Sequence, residues 1–491
     1  MKEEKSKYQI IINCIQILII LASISIIVIF RKNITASYIA VLLIFIANVI
    51  FCLRNIKKRI LLFMFMGCFF IFLMGRQTLE LIKTGKVVYI FSNEISMHIV
   101  TTLYISLISI LIGFYIVEKY VKEYTEKNEK IIKIFKHRIS KEEIKGSLQK
   151  YSKLLFEIGW IINIILVIEK AIYINTYSYL DFVKSFSSSI PYFISIFANF
   201  RTIAFFIFLA TMPEKKKATK IIFLYLIETI MLLLIGDRGN CIINILLIIF
   251  YVVFRQLINK EEKWIKKSYA IIALTMLPFI FVGLSLFVYI REGIVLEKFS
   301  FIEQFERFFK SIGNSVNIIG YEKLYENNLP RNILYSFGDF IQYIKYNPIT
   351  RIIFKINHAP YYTEEYAMSG MSFMHTISYL INPKAYLQGH GYGSSYVAEL
   401  YADFKYIGVI FGNMFLGAYM AIFYKIYKKS YILTACLLLS YNIMFFIPRA
   451  AFDYIITYIF NLTAILGTII IVAVSIADII VHRNKEKLLN E

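Results

Sequence analysis

Apolar runs of about 20 residues recur from one end of the chain to the other, separated by polar connections. They lie at about 9–30, 34–53, 60–75, 95–117, 154–176, 190–212, 220–236, 240–258, 268–290, 405–424, 430–447 and 454–481. A helix of this length crosses the hydrocarbon core of a bilayer. The first run lacks a small-residue cleavage pattern, so it is expected to be a membrane span and not a cleavable signal. The pattern predicts an all-α polytopic membrane protein with about 12 transmembrane helices.

The connections divide the chain into three parts. Residues 1–290 hold helices one to nine with a cytoplasmic loop at 118–153, residues 291–404 form one large, partly helical outer loop, and residues 405–491 hold helices ten to twelve. The composition of the cytoplasmic loop predicts a helical hairpin on the inner leaflet. Aromatic residues at helical spacing in 301–312 predict an amphipathic helix on the membrane surface or on the protein's own outer face.

Composition and charge agree with a membrane location. The chain is 58% hydrophobic and only 18% charged, whereas soluble domains carry about 25% charged residues. The formal net charge is +21, and basic residues concentrate in connections such as 54–59 and 213–220. By the positive-inside rule both termini and these loops are cytoplasmic. Anionic membrane lipid is therefore the expected partner of this charge, and nucleic acid is not expected.

Three arginines stand at the predicted outer ends of spans, where the positive-inside rule does not explain them. They are Arg238, Arg291 and Arg449. A guanidinium group offers a bidentate fork suited to phosphate oxygens. The alternative is a local ion pair that ends a helix, of Arg238 with Asp237 or of Arg449 with Asp453.

Charge is costly within a membrane span, and two of the charged residues in the predicted spans are candidates for function. Arg201 and Glu228 fall in consecutive helices six and seven. They are expected either to pair with one another or to contact a substrate.

The outer loop holds three of the six histidines, His358, His375 and His390. Their spacing matches no helical metal motif, and the five cysteines form no CxxC pair, so neither a metal site nor a disulfide framework is expected. His390 lies in the turn Gly-His-Gly-Tyr-Gly at 389–393, where the glycines permit close approach of a ligand to the backbone. Two interpretations of His390 stay open: it is a general base, or it is a solvent-exposed histidine of the turn.

The stretch after this turn has helical character. Ser395, Glu399 and Asp403 recur every four residues and share one helix face. Ser394 or Ser395 is predicted to cap the helix. This arrangement would place two carboxylates next to the membrane on the outer side.

These residues carry a resemblance to a known family. The stretch 386–404, Tyr-Leu-Gln-Gly-His-Gly-Tyr-Gly-Ser-Ser-Tyr-Val-Ala-Glu-Leu-Tyr-Ala-Asp-Phe, followed by Gly408 and Gly417, resembles the Wzy-type O-antigen polysaccharide polymerases, the oligosaccharide repeat unit polymerases. The Gly-Asp-Arg-Gly turn at 236–239 is similar to the Gly-x-Arg-Gly turn of that family. The Arg-x10-Gly pattern sometimes used for the family is not met, since Ile249, Ile302 and Phe460 stand eleven residues after the three arginines.

The resemblance implies a function at the outer face of a bacterial cytoplasmic membrane. Such enzymes transfer a growing glycan from undecaprenyl pyrophosphate to a new lipid-linked repeat unit, without a cofactor. Expected partners are the undecaprenyl-pyrophosphate-linked donor and acceptor, a chain-length regulator and a flippase. Arg238, Arg291 and Arg449 would bind the pyrophosphate, and His390 or Glu399 would be the catalytic base. The residues expected to bind the substrate elsewhere are Asp403, Tyr392, Tyr396, Tyr401 and Arg201.

Two other functions stay open on the sequence alone. An O-antigen ligase is a similar membrane enzyme that transfers finished glycan to a lipid core, and sequence physics barely separates it from a polymerase. A flippase or other transporter is the alternative from a different class. The large outer loop counts against a transporter, because such carriers usually have short outer loops.

Overall fold

A computed structural model describes residues 2–124, 131–134, 137–177, 181–182, 185–259, 261–292, 298–356 and 359–490. The longer helices are Lys2–Ile29, Ile34–Arg54, Ile56–Phe69, Gly75–Thr84, Asn93–Tyr120, Lys141–Thr176, Tyr192–Ala210, Lys215–Met231, Arg238–Ile258, Lys267–Glu292, Phe301–Ile312, Tyr396–Ile426, Tyr431–Met444 and Leu462–Asn490. The shorter helices are Asn317–Leu324, Gly338–Tyr346, Pro348–Phe354, Glu364–Ser369, Phe373–Ile381, Pro383–Leu387 and Tyr454–Thr457. A π turn at Phe70–Met74 and 3-10 turns at Leu232–Ile235, Gly313–Val316, Tyr335–Phe337 and Ile447–Arg449 complete the helical elements.

The predicted all-α membrane architecture is confirmed. Within the described ranges, nine helices are long and apolar enough to cross a membrane. The three remaining predicted runs also fall on helices, namely Lys141–Thr176, Lys267–Glu292 and Tyr431–Met444. The first of these is 36 residues long because it continues from the membrane region into the polar segment before it.

The helical hairpin predicted for 118–153 is wrong. Strands Ile131–Ile134 and His137–Ser140 pair antiparallel, with Ile131 opposite Ser140. The apolar residues of this segment are mostly isoleucines, whose branched Cβ favours strands over helices. Ser140 then ends the hairpin and starts the next helix through a capping box, in which Glu143 N donates to Ser140 Oγ at 3.2 Å.

The chain forms two compact units. Unit 1 comprises Met1–Val121, Val253–Ile422 and Met444–Tyr454. Unit 2 comprises Lys122–Val252, Phe423–Ile443 and Ile455–Glu491. The predicted outer loop thus belongs to unit 1 throughout.

Glycines bring helices together within each unit. In unit 1, a side chain at Gly113 would clash with the backbone of Met414, and one at Gly417 with the backbone of Ile110. Helices Asn93–Tyr120 and Tyr396–Ile426 are therefore in backbone contact, as small residues permit in membrane proteins. In unit 2, Gly159 has the same role against helix Tyr192–Ala210.

Helix Tyr396–Ile426 reverses direction within its length. Phe404 (φ −134°) and Lys405 (φ 55°) leave helical geometry, and the side chain of Leu400 lies against Gly412. Tyr396 Oη donates to Asn413 Oδ1 at 2.7 Å, although 17 residues of straight helix would separate them by about 25 Å. Residues 396–403 therefore fold back along the helix that follows, and we call them the return helix.

The predicted amphipathic helix is present as Phe301–Ile312 and is capped by Ser300. Its apolar face packs on the protein itself. The rings of Phe308 and Phe281 stack with centroids 4.6 Å apart, and Gln304 accepts a hydrogen bond from Ser285 at 3.0 Å.

Candidate functional site

The glycine turn at 389–393 has a backbone conformation that favours glycine at two positions. Gly389 (φ 98°) and Gly393 (φ 83°) both lie in the left-handed region, which residues with a Cβ rarely adopt. Tyr392 N donates to Ser378 Oγ at 3.0 Å, which holds the turn against helix Phe373–Ile381. His390, the second residue of the turn, is exposed to solvent.

Glu399 connects this turn to a distant part of the chain. Ser394 Oγ donates to Glu399 Oε1 at 2.5 Å, and Phe452 N donates to Oε2 at 2.8 Å. The side chain is buried, with 1% of its residue surface exposed. Ser394 therefore binds the carboxylate, and the hydroxyl of Ser395, the other residue predicted to cap the helix, has no hydrogen-bond partner in the described part of the chain. The glycine turn and the segment 447–453, which contains Arg449, are joined through this one carboxylate.

Two further carboxylates accompany Glu399, and we call Asp339, Glu399 and Asp453 the carboxylate cluster. Phe340 N donates to Asp453 Oδ2 at 2.7 Å, and Asp453 is fully buried. Burial, followed by repulsion from Asp339, raises the pKa of Asp453 to about 8. Burial also raises the pKa of Asp339. Asp453 therefore holds its proton at neutral pH, which relieves the repulsion that three charges at this cluster, two of them on buried residues, would cause.

Two arginines contact the turn at 312–315. Arg449 Nη1 donates to Ser315 Oγ at 3.3 Å, and Arg76 Nη1 donates to Asn314 Oδ1. A Cβ at Gly313 would meet the side chain of Arg76, so this arginine packs directly on the turn. Two guanidinium groups on one short turn form an electropositive feature suited to an anionic ligand.

Arg76 was missed by the sequence analysis. It stands at the predicted outer end of the third apolar run, in the same position that singled out Arg238, Arg291 and Arg449. The same rule applied to every span would have found it. Asp339 carries no comparable signal in the sequence, since only the fold brings it near Asp453.

The predicted substrate-binding tyrosines differ in exposure. Tyr392 is 41% exposed, whereas Tyr396 and Tyr401 are buried. Tyr396 binds Asn413, and the ring of Tyr401 lies 4.3 Å from that of His98. A sugar contact by either buried ring stays a prediction, and only Tyr392 presents its ring to solvent.

Asp403 anchors the long loop. Its carboxylate accepts hydrogen bonds from the backbone N–H groups of Tyr335 and Ser336 at 2.8 and 2.7 Å, and from Ser336 Oγ at 2.6 Å. These three bonds fix the loop to the end of the return helix. Substrate binding by Asp403 stays a prediction.

The predicted residues of unit 2 have local structural contacts. Arg201 Nε donates to both oxygens of Glu228 at 3.0 and 3.2 Å, which is the ion pair considered from the sequence. Asp237 caps helix Arg238–Ile258 by accepting from Asn240 N at 3.1 Å. Arg238 therefore begins that helix directly after the cap.

The remaining sequence candidates do not join the site described here. Arg291 lies in helix Lys267–Glu292, but its side chain falls outside the described part, as does His358. His375 is buried, and its Nδ1 lies 3.0 Å from Tyr386 Oη among several aromatic rings. In the described ranges, no group of three histidine, cysteine or carboxylate side chains is placed so that it could hold a metal ion.

A second polar cluster in unit 1 was not expected from the sequence. Glu322 is fully buried, and within the described part of the chain neither carboxylate oxygen has a hydrogen-bond partner. His98 Nε2 lies 3.9 Å from Glu322 Oε2, while His98 Nδ1 lies 2.9 Å from Tyr406 Oη. Burial raises the pKa of Glu322 to about 8. This carboxyl group is therefore mostly neutral at physiological pH.

The fold and the site together define a class of protein. Many apolar helices with buried carboxylates and arginines on one long polar region are typical of a multi-pass membrane enzyme acting on an anionic substrate. The family model described as O-antigen polysaccharide polymerase Wzy matches residues 10–479, nearly the whole chain, and the chain belongs to this family. No curated protein and no solved structure matches it.

Membership confirms the resemblance drawn from the glycine turn and the residues after it. The protein is a multi-pass membrane polymerase of the glycosyltransferase type. It acts on lipid-linked repeat units in O-antigen polysaccharide synthesis.

Proposed function

We propose that the protein transfers glycan from an undecaprenyl-pyrophosphate-linked donor to the non-reducing end of a lipid-linked repeat unit. The active site faces outward from a bacterial cytoplasmic membrane, and both termini are cytoplasmic. Basic connections such as 54–59 and 213–220 support this orientation. A flippase would deliver the repeat units, and a chain-length regulator would act on the product.

The contact of Glu399 with both Ser394 and Phe452 carries the proposal. It joins the glycine turn to the segment of Arg449, although more than fifty residues separate them in sequence. A turn open to a sugar and a cation for a leaving group are what such a transfer requires.

The reaction forms one bond and breaks one. The acceptor hydroxyl attacks the anomeric carbon of the donor, the bond from that carbon to the pyrophosphate oxygen breaks, and undecaprenyl pyrophosphate leaves with one more negative charge. Arg449 and Arg76 stabilise this charge, because fixed cations act most strongly where charge develops in the transition state. Arg238 and Arg291 are further candidates for the same role.

His390 takes the acceptor proton in this proposal, and Glu399 is a positioning residue. Both oxygens of Glu399 already accept hydrogen bonds within the protein, whereas His390 is exposed in a turn that a ligand can approach. The exposed ring of Tyr392 offers a flat face for a sugar. No step requires a metal or cofactor.

Purified protein in liposomes with native lipid-linked repeat units tests the proposal through the ladder of products on a gel. Arg449→Ala should lower the rate roughly 10²- to 10³-fold. Arg449→Lys should recover little, because an ammonium group lacks the bidentate fork. Arg331→Ala, at an exposed arginine of the same long loop, is the matched control and should retain the wild-type rate. A full ladder from Arg449→Ala would contradict the assigned role.

Deletion of the gene separates the alternative functions in cells. A surface product that carries a single repeat unit indicates a polymerase, and free lipid-linked polymer indicates a ligase. Complete loss of surface glycan indicates a flippase.

A further inference from the structure

Unit 2 contains a cavity that the proposed chemistry does not use. Its volume is about 380 Å³, within the roughly 300–1,000 Å³ range of small-molecule sites. Asn199 and Thr202 of helix Tyr192–Ala210 form one wall, and Tyr458, Asn461 and Thr463 form another. The cavity is therefore built from parts of the chain that are far apart in sequence.

The lining is polar but uncharged. Among the described residues, those that line the cavity offer amide and hydroxyl groups together with a few aliphatic side chains, and no charged group. Amides and hydroxyls both donate and accept hydrogen bonds, as the hydroxyl groups of a sugar do. A phosphate would require cations, and a lipid chain would require a fully apolar lining.

Asn199 is the lining residue that most clearly favours a polar ligand in the cavity. It lies within a candidate membrane span, its side chain is exposed, and it makes no side-chain hydrogen bond to the described part of the protein. An amide group facing hydrocarbon is costly, so this position favours a cavity filled with water or a hydroxylated ligand. The phenol ring of Tyr458 adds a flat apolar face against which a sugar ring can pack.

We propose that this cavity is a binding subsite for uncharged sugar residues of the glycan. The inference rests on the proposed polymerase function for the identity of the glycan. It adds a place in unit 2 where sugars are held by hydrogen bonds, and none of its lining residues is assigned to pyrophosphate binding.

Protection of an introduced cysteine tests the subsite at the position itself. The probe is the repeat-unit oligosaccharide released by mild acid from the cell's own lipid-linked pool. In a background without the five native cysteines, Asn199→Cys should react with a water-soluble maleimide, and the oligosaccharide should slow the reaction at least tenfold. Ser195→Cys, one turn away on the same helix and outside the lining, is the matched control and should show no protection.

A second variant measures the consequence for polymerisation. Asn199→Leu with Thr202→Val keeps the helix apolar but removes two hydrogen-bonding groups, and it should raise the KM for the lipid-linked repeat about tenfold. Unlabelled Asn199→Cys, equal labelling with and without oligosaccharide, protection by undecaprenyl phosphate alone, or an unchanged KM would each overturn the inference. If the wild type makes no ladder while Asn199→Cys is still protected, the polymerase proposal fails and the sugar subsite stands.

Discussion

Glu322 provides a test of burial that does not depend on substrate. Its carboxyl group is wholly buried, its oxygens have no hydrogen-bond partner in the described part of the chain, and the nearest ring nitrogen is 3.9 Å away. Burial raises its pKa from an ordinary value of 4.5 to about 8, against smaller opposing effects of Lys405 and Lys323. We predict that Glu322→Gln removes a specific part of the pH dependence of stability.

The sign and size follow from proton linkage. Between pH 4.5 and about 8 the folded protein keeps the proton on Glu322, and the unfolded chain has released it. Each pH unit in this window therefore lowers the free energy of unfolding by about 1.4 kcal/mol. The stabilisation is complete below pH 4.5 and is lost as the pH rises to about 8. Glutamine has nearly the same shape and no proton to release, so the variant should lose this slope.

Thermal unfolding in detergent from pH 5 to 9 is the measurement. The wild type should lose stability more steeply than Glu322→Gln up to about pH 8, and the two curves should run parallel above it. Glu306→Gln is the matched control, because a hydrogen bond from Lys83 lowers the pKa of Glu306 and this residue is not among the groups that shift the pKa of Glu322. That control should leave the slope between pH 5 and 8 intact. Parallel wild-type and Glu322→Gln curves across the whole range would refute the reasoning.

Three further predictions concern orientation and packing. Arg331→Cys in a cysteine-free background should react with an impermeant maleimide from outside the cell, and labelling only from inside would reverse the proposed topology. Gly417→Ala should lower the yield of folded protein on gel filtration by forcing helices apart, at a cost of roughly 1–3 kcal/mol, whereas Gly67→Ala has open space and should be tolerated. Arg201→Met should destabilise unit 2 by about 3–5 kcal/mol in thermal unfolding, because it leaves the buried carboxylate of Glu228 without its partner, and adding Glu228→Met should recover part of the loss. Equal stability of the single variant and the wild type would show that the pair contributes nothing.

The membrane helices could be predicted because hydropathy is a local property. Each of the twelve apolar runs falls on a helix, and the amphipathic pattern of 301–312 was sufficient to predict that helix. The paired strands Ile131–Ile134 and His137–Ser140 were missed because a short segment with several isoleucines is compatible with either structure. The β-branched residues favour strands in this segment, and the capping box at Ser140 starts the helix that follows.

The site was predictable in its parts but not in its contacts. Glu399 and Arg449 stood out by residue type and position, yet the hydrogen bond to Phe452 that brings them together depends on the tertiary fold. Asp339 and Glu322 could not be found from the sequence, because a carboxylate in an outer loop is normally solvated, and only the fold shows that Glu322 is buried and Asp339 half-buried. Arg76 could have been found by the rule that selected the other arginines.

The reversal at Phe404 and Lys405 has a consequence for how this part of the chain fits a bilayer. A continuous helix of 31 residues would be about 46 Å long and would exceed the hydrocarbon thickness by half. The part that follows the reversal, residues 406–426, is about 30 Å long and matches that thickness. The turn at Lys405 thus sets the hydrophobic length of this helix, and it lets the acidic return helix pack beside the first turns of residues 406–426 without a separate loop.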